Sequence, residues 1–251
     1  MLVYDLEDSV ARHRKQAARG MVFEALRSAP QGGPTLCVRI NAPSNEPDLA
    51  RADLEAVLHS ERVQSIVLPK VESVRDLELV ASAASPTVPL SLVLSVESAS
   101  SLLRMPTMLE RASLGPGVRV AALMFASEDY CAATGIRRTR DLQSLLYPRA
   151  QMATIAKAYG LQAIDMVCIE YKDQAYLQQE CEDGASLGFD GKQAIHPAQL
   201  EAIHAAYSPS AQGMYQRLTQ TWTWHGRSWT RTGRARVRAR APWACRITAR
   251  M

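Results

Sequence analysis

The sequence predicts a parallel α/β fold: a (β/α)8, TIM-type barrel that lacks its first strand. Three observations carry this. Short β-rich runs alternate with helical stretches along most of the chain, the pattern of βαβ units. Several of those runs are apolar throughout, as parallel strands covered on both faces are. Charged or polar residues then recur at or just past the C-terminal end of each run.

The strands are expected, in order, at Leu2–Leu6, Leu36–Ile40, Ser65–Leu68, Leu90–Val96, Val120–Phe125, Ile164–Ile169 and Gln193–Ile195. Helical patterns lie between them at Ser9–Ser28, Asp53–His59, Ala99–Leu109, Leu142–Tyr159 and Asp173–Leu187. Pro197, directly after His196, suits the first position of a further helix. Seven strands also fit an open doubly wound sheet. The polar residues decide between the two: Asp5–Asp8, Arg39, Lys70, Glu97, Asp129 and His196 all follow strand ends. In a barrel such ends converge on one mouth, where barrel enzymes place their chemistry. In an open sheet they would be strung along an edge of about 30 Å, at roughly 4.8 Å per strand.

Composition narrows the function classes. The 251 residues are 47% hydrophobic, enough for one large domain. No run of about twenty apolar residues marks a membrane-spanning helix. Five scattered cysteines without a CxxC pair argue against a zinc or disulfide framework and for a reducing compartment. GxSxG, P-loop and GxGxxG motifs are absent, so serine-hydrolase and nucleotide-triphosphate chemistry are not indicated. The net charge of +4 conceals a break near residue 220. Residues 221–251 hold 8 of the 29 basic residues, none of the 25 acidic ones and all four tryptophans, which leaves a net of −4 on the rest. The expected organisation is a barrel domain over 1–210 and an irregular, basic, Arg- and Trp-rich tail over 211–251. That tail reads as out-of-frame translation. A basic arm for nucleic acid or acidic membrane is its functional alternative.

The candidate chemistry is a metal beside a cationic clamp. Glu97 and Asp129 on adjacent strand ends suit Mg2+, which commonly takes one or two protein carboxylates. They suit equally well the roles of solvated loop acids or helix caps. Arg39 can clamp a carboxylate through two parallel hydrogen bonds, or partner Glu7 or Asp8 structurally. Glu7, Asp8, Lys70 and Glu72 add charge around the rim, each also at home in an ion pair. His196 reads, by itself, as a hydrogen-bonded helix cap.

The segments DLEDSV, CVRIN, LPKVES, SVESASSLL, FASEDYCAATGIRRT, RAQMATIAKAYGLQAIDMV and GFDGKQAIHPAQL resemble, over roughly residues 2–210, the citrate lyase β-subunit-like family. The resemblance is nearest to its eukaryotic citramalyl-CoA lyase branch. It implies a (β/α)8 barrel, a homotrimer, that holds Mg2+ and takes an acyl-CoA thioester, cleaving it to a 2-keto acid and a shorter acyl-CoA by a reversible Claisen-type reaction. Residue by residue, it implies Glu97 and Asp129 as the metal ligands and Arg39 as the substrate-carboxylate clamp. Ile195 and His196 would line the CoA site. Glu7 and Asp8 would be catalytic acids that orient Arg39 and metal-bound water. It further implies a strand and CoA-contacting lysines ahead of Met1, and a C-terminal acidic motif that the tail does not carry. A catalytically dead member with an oligomerising or regulatory role is the alternative. The implied compartment is the mitochondrial matrix or the cytoplasm, with neither membrane nor nucleic acid as a partner.

Overall fold

The computed structural model describes residues 1–208 and the backbone of Trp243–Thr248. Seven parallel strands form a curled sheet: β1 (Leu2–Asp5), β2 (Leu36–Arg39), β3 (Ser65–Leu68), β4 (Leu90–Val96), β5 (Val118–Phe125), β6 (Gln162–Asp165) and β7 (Gly191–Ala194). Helices α1 (Lys15–Ser28), α2 (Pro47–Leu58), α3 (Val74–Ala83), α4 (Ala99–Arg111), α5 (Ser127–Thr134), α6 (Leu146–Ala158), α7 (Gln174–Ser186) and α8 (Leu200–Tyr207) connect and follow them. The parallel α/β architecture meets the expectation. The missing strand does not. The backbone of Trp243–Thr248 forms β8, which pairs with β7 through Gly191↔Trp243 and with β1 through Leu2↔Arg246, closing the order of strands. Six residues of the tail expected to be irregular are therefore extended and paired. The rest of that tail, and the expected boundary at 210/211, lie outside the described residues.

Period-two alternation sorts the residues of β1 to β6 into two faces. Val3, Cys37, Val67, Val93, Ala122, Met124 and Ile164 make one buried cluster inside the curl. The alternate residues, such as Ile66, Leu68, Leu92, Leu94, Leu123 and Phe125, join the larger cluster that packs under the helices. The same parity extends past the apolar residues. Asp5 is two residues beyond Val3, Arg39 two beyond Cys37, and Glu97 four beyond Val93. The inner face thus delivers three charged side chains to the mouth.

Local chemistry explains where the elements depart from the sequence pattern. The first helix begins at Lys15, after a 3-10 turn at Arg12–Arg14, rather than at Ser9. Asp5 accepts from the amides of Glu7 (2.9 Å) and Ser9 (3.1 Å), so those residues turn instead of coiling. Helix α2 starts six residues earlier than expected, with Pro47 in its first turn. Helix α3, unmarked by its apolar spacing, is started by a capping box between Ser73 and Asp76.

Candidate functional site

The mouth is built from the exits of β1 to β5. Arg39, at the end of β2, donates from Nε to Asp5 Oδ1 (2.7 Å) and from Nη2 to Asp5 Oδ2 (2.6 Å). That two-point pairing fixes the plane of the guanidinium. Its Nη1 lies 3.1 Å from Glu7 Oε2, an oxygen that accepts no hydrogen bond. Sequence reasoning named Glu7 or Asp8 as the partner of Arg39. The chief partner is Asp5, whose place on the inner face of β1 was the signal available.

Lys70 follows β3 and reaches Glu7 Oε1 at 2.6 Å and the exposed Asp8 at 3.4 Å. Its backbone sits at φ 47°, a left-handed conformation that a non-glycine residue adopts at some cost. Ser44 Oγ donates to its carbonyl at 3.0 Å and helps hold it there. Burial dominates the titration of Glu7: despite Arg39 and Lys70 beside it, its carboxyl is pushed up to about 7. Arg39 and Lys70 are held charged well above their ordinary values by Asp5, Glu7 and Asp8, against the pull of burial. Burial likewise raises Asp5, but its bonds to Arg39 outweigh that and hold it below the usual carboxylate range.

Glu97 follows β4 and is 5% exposed. Its Oε2 is buried and accepts no hydrogen bond. Burial raises its carboxyl, and the charge of Asp129 raises it further, while Ser95 and Lys70 pull the other way. Asp129 lies just past the end of β5, as the sequence suggested. It is a half-buried residue in the first turn of α5, where a carboxylate also favours the positive end of the helix dipole. Arg138 pins that turn, with Nη1 on Ser127 Oγ (3.3 Å) and Glu128 Oε1 (2.7 Å) and Nη2 on Val167 O (3.0 Å). Glu72 is occupied by Ser98, whose hydroxyl donates to it at 2.5 Å.

Glu97, with a buried oxygen in need of a partner and a second carboxylate near enough to perturb it, fits a small hard cation. Among the described residues no group of three or more His, Cys, Asp or Glu side chains is arranged to hold a metal. Glu97 and Asp129 could offer such an ion two carboxylates, and Mg2+ commonly takes one or two, with water and substrate oxygens completing its shell. A cleft of about 440 Å³ adjoins the cluster, lined by Glu7, Asp8, Lys15, Asn41 and Lys70 among others.

Ile195 and His196 leave β7 in the turn before α8 and are both exposed. His196 accepts from the amide of Ala198 (3.1 Å) and stacks on Tyr171 at 4.7 Å between ring centroids. The cap suggested by the sequence is there. Sequence reasoning missed the polar layer under the acidic turn, formed by Lys15, Arg19, Asn41 and Asp53. A buried Lys and Arg four residues apart on one helix were the signal for it.

Comparisons with known proteins agree with this architecture. The family pattern described as HpcH/HpaI aldolase/citrate lyase matches residues 1–197. The chain is 37% identical over 219 residues to the mitochondrial citramalyl-CoA lyase of Homo sapiens, covering 83% of this chain and 64% of that protein. It is 35% identical over 209 residues to a (3S)-malyl-CoA thioesterase of Cereibacter sphaeroides, covering 83% and 69%. It thus spans slightly under two thirds of the length of the human lyase. Among solved structures, the Mycobacterium tuberculosis citrate lyase beta subunit complexed with oxaloacetate and magnesium superposes with a TM-score of 0.67 at 31% identity, covering 82% of this chain and 86% of that one. RipC from Yersinia pestis gives 0.71 at 26% identity, over 85% and 96%. By sequence pattern, by relatives and by architecture, the chain belongs to the HpcH/HpaI aldolase/citrate lyase family.

Proposed function

We propose that this chain serves as a Mg2+-dependent carbon–carbon lyase acting on an acyl-CoA thioester, with citramalyl-CoA as substrate and pyruvate and acetyl-CoA as products. The observation that carries the reading is the pairing at the mouth. Glu97, buried with an unpartnered oxygen and electrostatically coupled to Asp129 and Lys70, shares the inner face with a guanidinium locked by Asp5. Relatives named as lyases of CoA esters and of citrate support the activity, and family structures containing magnesium support the metal.

Glu97 and Asp129 would hold the ion, which supplies Lewis acidity toward the oxygens of a 2-keto acid. Arg39, with donors left over after Asp5, binds the substrate carboxylate and sets its orientation. Glu7, at about 7, is matched to proton transfer near neutrality. It takes the substrate hydroxyl proton at Oε2, the oxygen without a hydrogen bond. As the carbon–carbon bond breaks, its electron pair goes to the thioester's α-carbon, and the proton taken up by Glu7 is returned to that carbon, directly or through water, to give acetyl-CoA. Lys70 and Asp8 keep Glu7 oriented and join it to solvent. Ile195 and His196, with Tyr171 stacked beside them, offer an apolar wall for the CoA moiety. A homotrimer and a mitochondrial matrix location belong to the same proposal, the latter supported by the mitochondrial relatives. Among the described residues no helix is long and apolar enough to cross a membrane.

Product analysis tests this. Incubation of the protein with citramalyl-CoA and Mg2+ is expected to release pyruvate and acetyl-CoA in equal amounts. Release of free citramalate and CoA instead would assign thioester hydrolysis, and no product from a folded protein would reject the reading.

A further inference from the structure

The acidic turn at the exit of β1 rests on one buried ammonium. Lys15, in the first turn of α1, is 8% exposed. Its Nζ donates to Leu6 O at 2.7 Å, Glu7 O at 2.8 Å and Asn41 Oδ1 at 2.7 Å. Three donors meet three acceptors, so the ammonium is saturated and keeps no proton for chemistry. It forms no ion pair among the described residues, which is unusual for a buried lysine.

Its acceptors are what give it a role. The carbonyls of Leu6 and Glu7 flank the α-carbon of Glu7, so holding both fixes the two backbone torsions of that residue. Beneath Lys15 the support continues. Asn41 Nδ2 donates to Leu6 O (3.1 Å) and to Asp53 Oδ2 (2.5 Å), and the Asn41 amide also donates to Asp53 Oδ2 (2.8 Å). Arg19 Nε donates to Asp53 Oδ1 at 2.7 Å. A buried polar layer from α1 and α2 therefore ends on the backbone of one residue at the mouth.

We propose that Lys15 is a positioning residue: by gripping the carbonyls on either side of Glu7 it sets that carboxylate between Arg39 and Lys70. This rests on reading Glu7 as the proton-transfer group of the site. A general stabilising role alone would not require two consecutive carbonyls to share one donor. Each of those carbonyls keeps a second donor, from Asn41 Nδ2 and from the amide of Val10. A Lys15→Met chain consequently retains partners for both and is expected to fold.

The test compares full-length wild type, Lys15→Met, Lys15→Gln and Leu26→Ala, a buried control on the same helix but away from the mouth. The Glu7 carboxyl is titrated by carbon NMR without ligand, and thermal midpoints are recorded alongside. Loss of a nearby positive charge would by itself raise the Glu7 midpoint. Loss of positioning releases the turn to water and lowers it. Lys15→Met is expected to bring the Glu7 midpoint down by about one unit or more toward the ordinary carboxylate value. Lys15→Gln should give the same sign at smaller amplitude, and carries the test should the Met variant not fold. Leu26→Ala should lower the thermal midpoint and leave Glu7 where it is. An unmoved or raised Glu7 midpoint in both Lys15 variants would overturn the proposal. In citramalyl-CoA cleavage, Lys15→Met is expected to lose roughly 100-fold in kcat with KM little changed. If wild type shows no cleavage, the reading of function fails while the titration still decides the role of Lys15.

Discussion

Two charge clusters lie on opposite faces of one sheet, at the exits of β1 to β5 and behind β6 and β7, and they are built to opposite ends. At the mouth, Glu7 and Glu97 are raised above the usual carboxylate range, because burial outweighs the cations near them. Behind β6 and β7, the cluster is closed. Arg149 donates to Asp165 through Nε (3.0 Å) and Nη2 (2.8 Å) and to Asp183 through Nη1 (2.5 Å). Lys192 lies 3.0 Å from Glu180, which also takes Arg138 at 2.6 Å. Burial presses Asp165 and Glu180 upward too, but Lys192 with Arg149 and Arg138 outweighs it and both stay below the usual range. Burial alone therefore does not mark a site. The distinction is whether the counter-charges around the buried carboxylate outweigh its burial or fall short of it.

One residue of register decides which cluster a side chain joins. Ile164 faces the inner core while Asp165 faces the helices, and Lys192 shares the helix side with Asp165. The closed cluster is also tightly fitted. A Cβ on Gly184 would come within 2.5 Å of both Asp165 Oδ2 and the Tyr207 hydroxyl, so α7 can approach only as glycine.

The largest expected effect belongs to the closed cluster. Asp165→Asn leaves Arg149 and Lys192 without their shared counter-charge and should cost about 3–5 kcal/mol in urea unfolding at pH 7. Once folded, the variant should retain its kcat, which a mouth residue would not. Acid should separate the clusters further. Asp165 and Glu180 are lowered, so the stability they contribute is present above their unfolded pKa values and is lost as pH falls through the folded ones.

Glu7 has the opposite sign. Its carboxyl rises from 4.5 to about 7 on folding, so its contribution is complete below about 4.5 and is lost as pH rises toward 7. Glu7→Gln should flatten that decline, making the variant more stable than wild type at pH 7 by at most about 3 kcal/mol. Denaturant titrations of the pair at pH 4.5 and 7 check it. Arg39→Lys keeps the charge but not the fork, and should weaken pyruvate binding by about 2 kcal/mol, roughly 30-fold. The smallest effect is expected at His196. His196→Ala removes the cap on Ala198 and should lower stability by about 1 kcal/mol in thermal melts.

The sequence showed the strands better than what connects them, for a physical reason. Apolar runs such as Leu90–Val96 and Ser65–Leu68 are buried on both faces and are observed with the predicted bounds. The helices are set by caps and local hydrogen bonds, so Asp5 delayed α1 and Ser73 with Asp76 began α3 against the apolar pattern. At the mouth, strand parity was enough to put Arg39 and Glu97 on the same inner face. It could not say that Asp5 would be the principal partner of Arg39, because Asp5, Glu7 and Asp8 are equivalent acids until the turn is folded. The layer of Lys15, Asn41 and Asp53 was hidden for the same reason, since its members come from three elements. β8 had no legible pattern, its residues lying in a stretch dominated by Arg and Trp.

The central claim is the proposed Mg2+ site that Glu97 and Asp129 would share. Titration calorimetry of Mg2+ into the full chain, with and without pyruvate, tests it most directly when wild type is compared with Glu97→Gln, Asp129→Asn and the closed-cluster control Asp183→Asn. The account predicts a single Mg2+ site in wild type and in the control, weakened at least about tenfold in each carboxylate variant. Unchanged binding in both Glu97→Gln and Asp129→Asn, or none in a folded wild type, would contradict it.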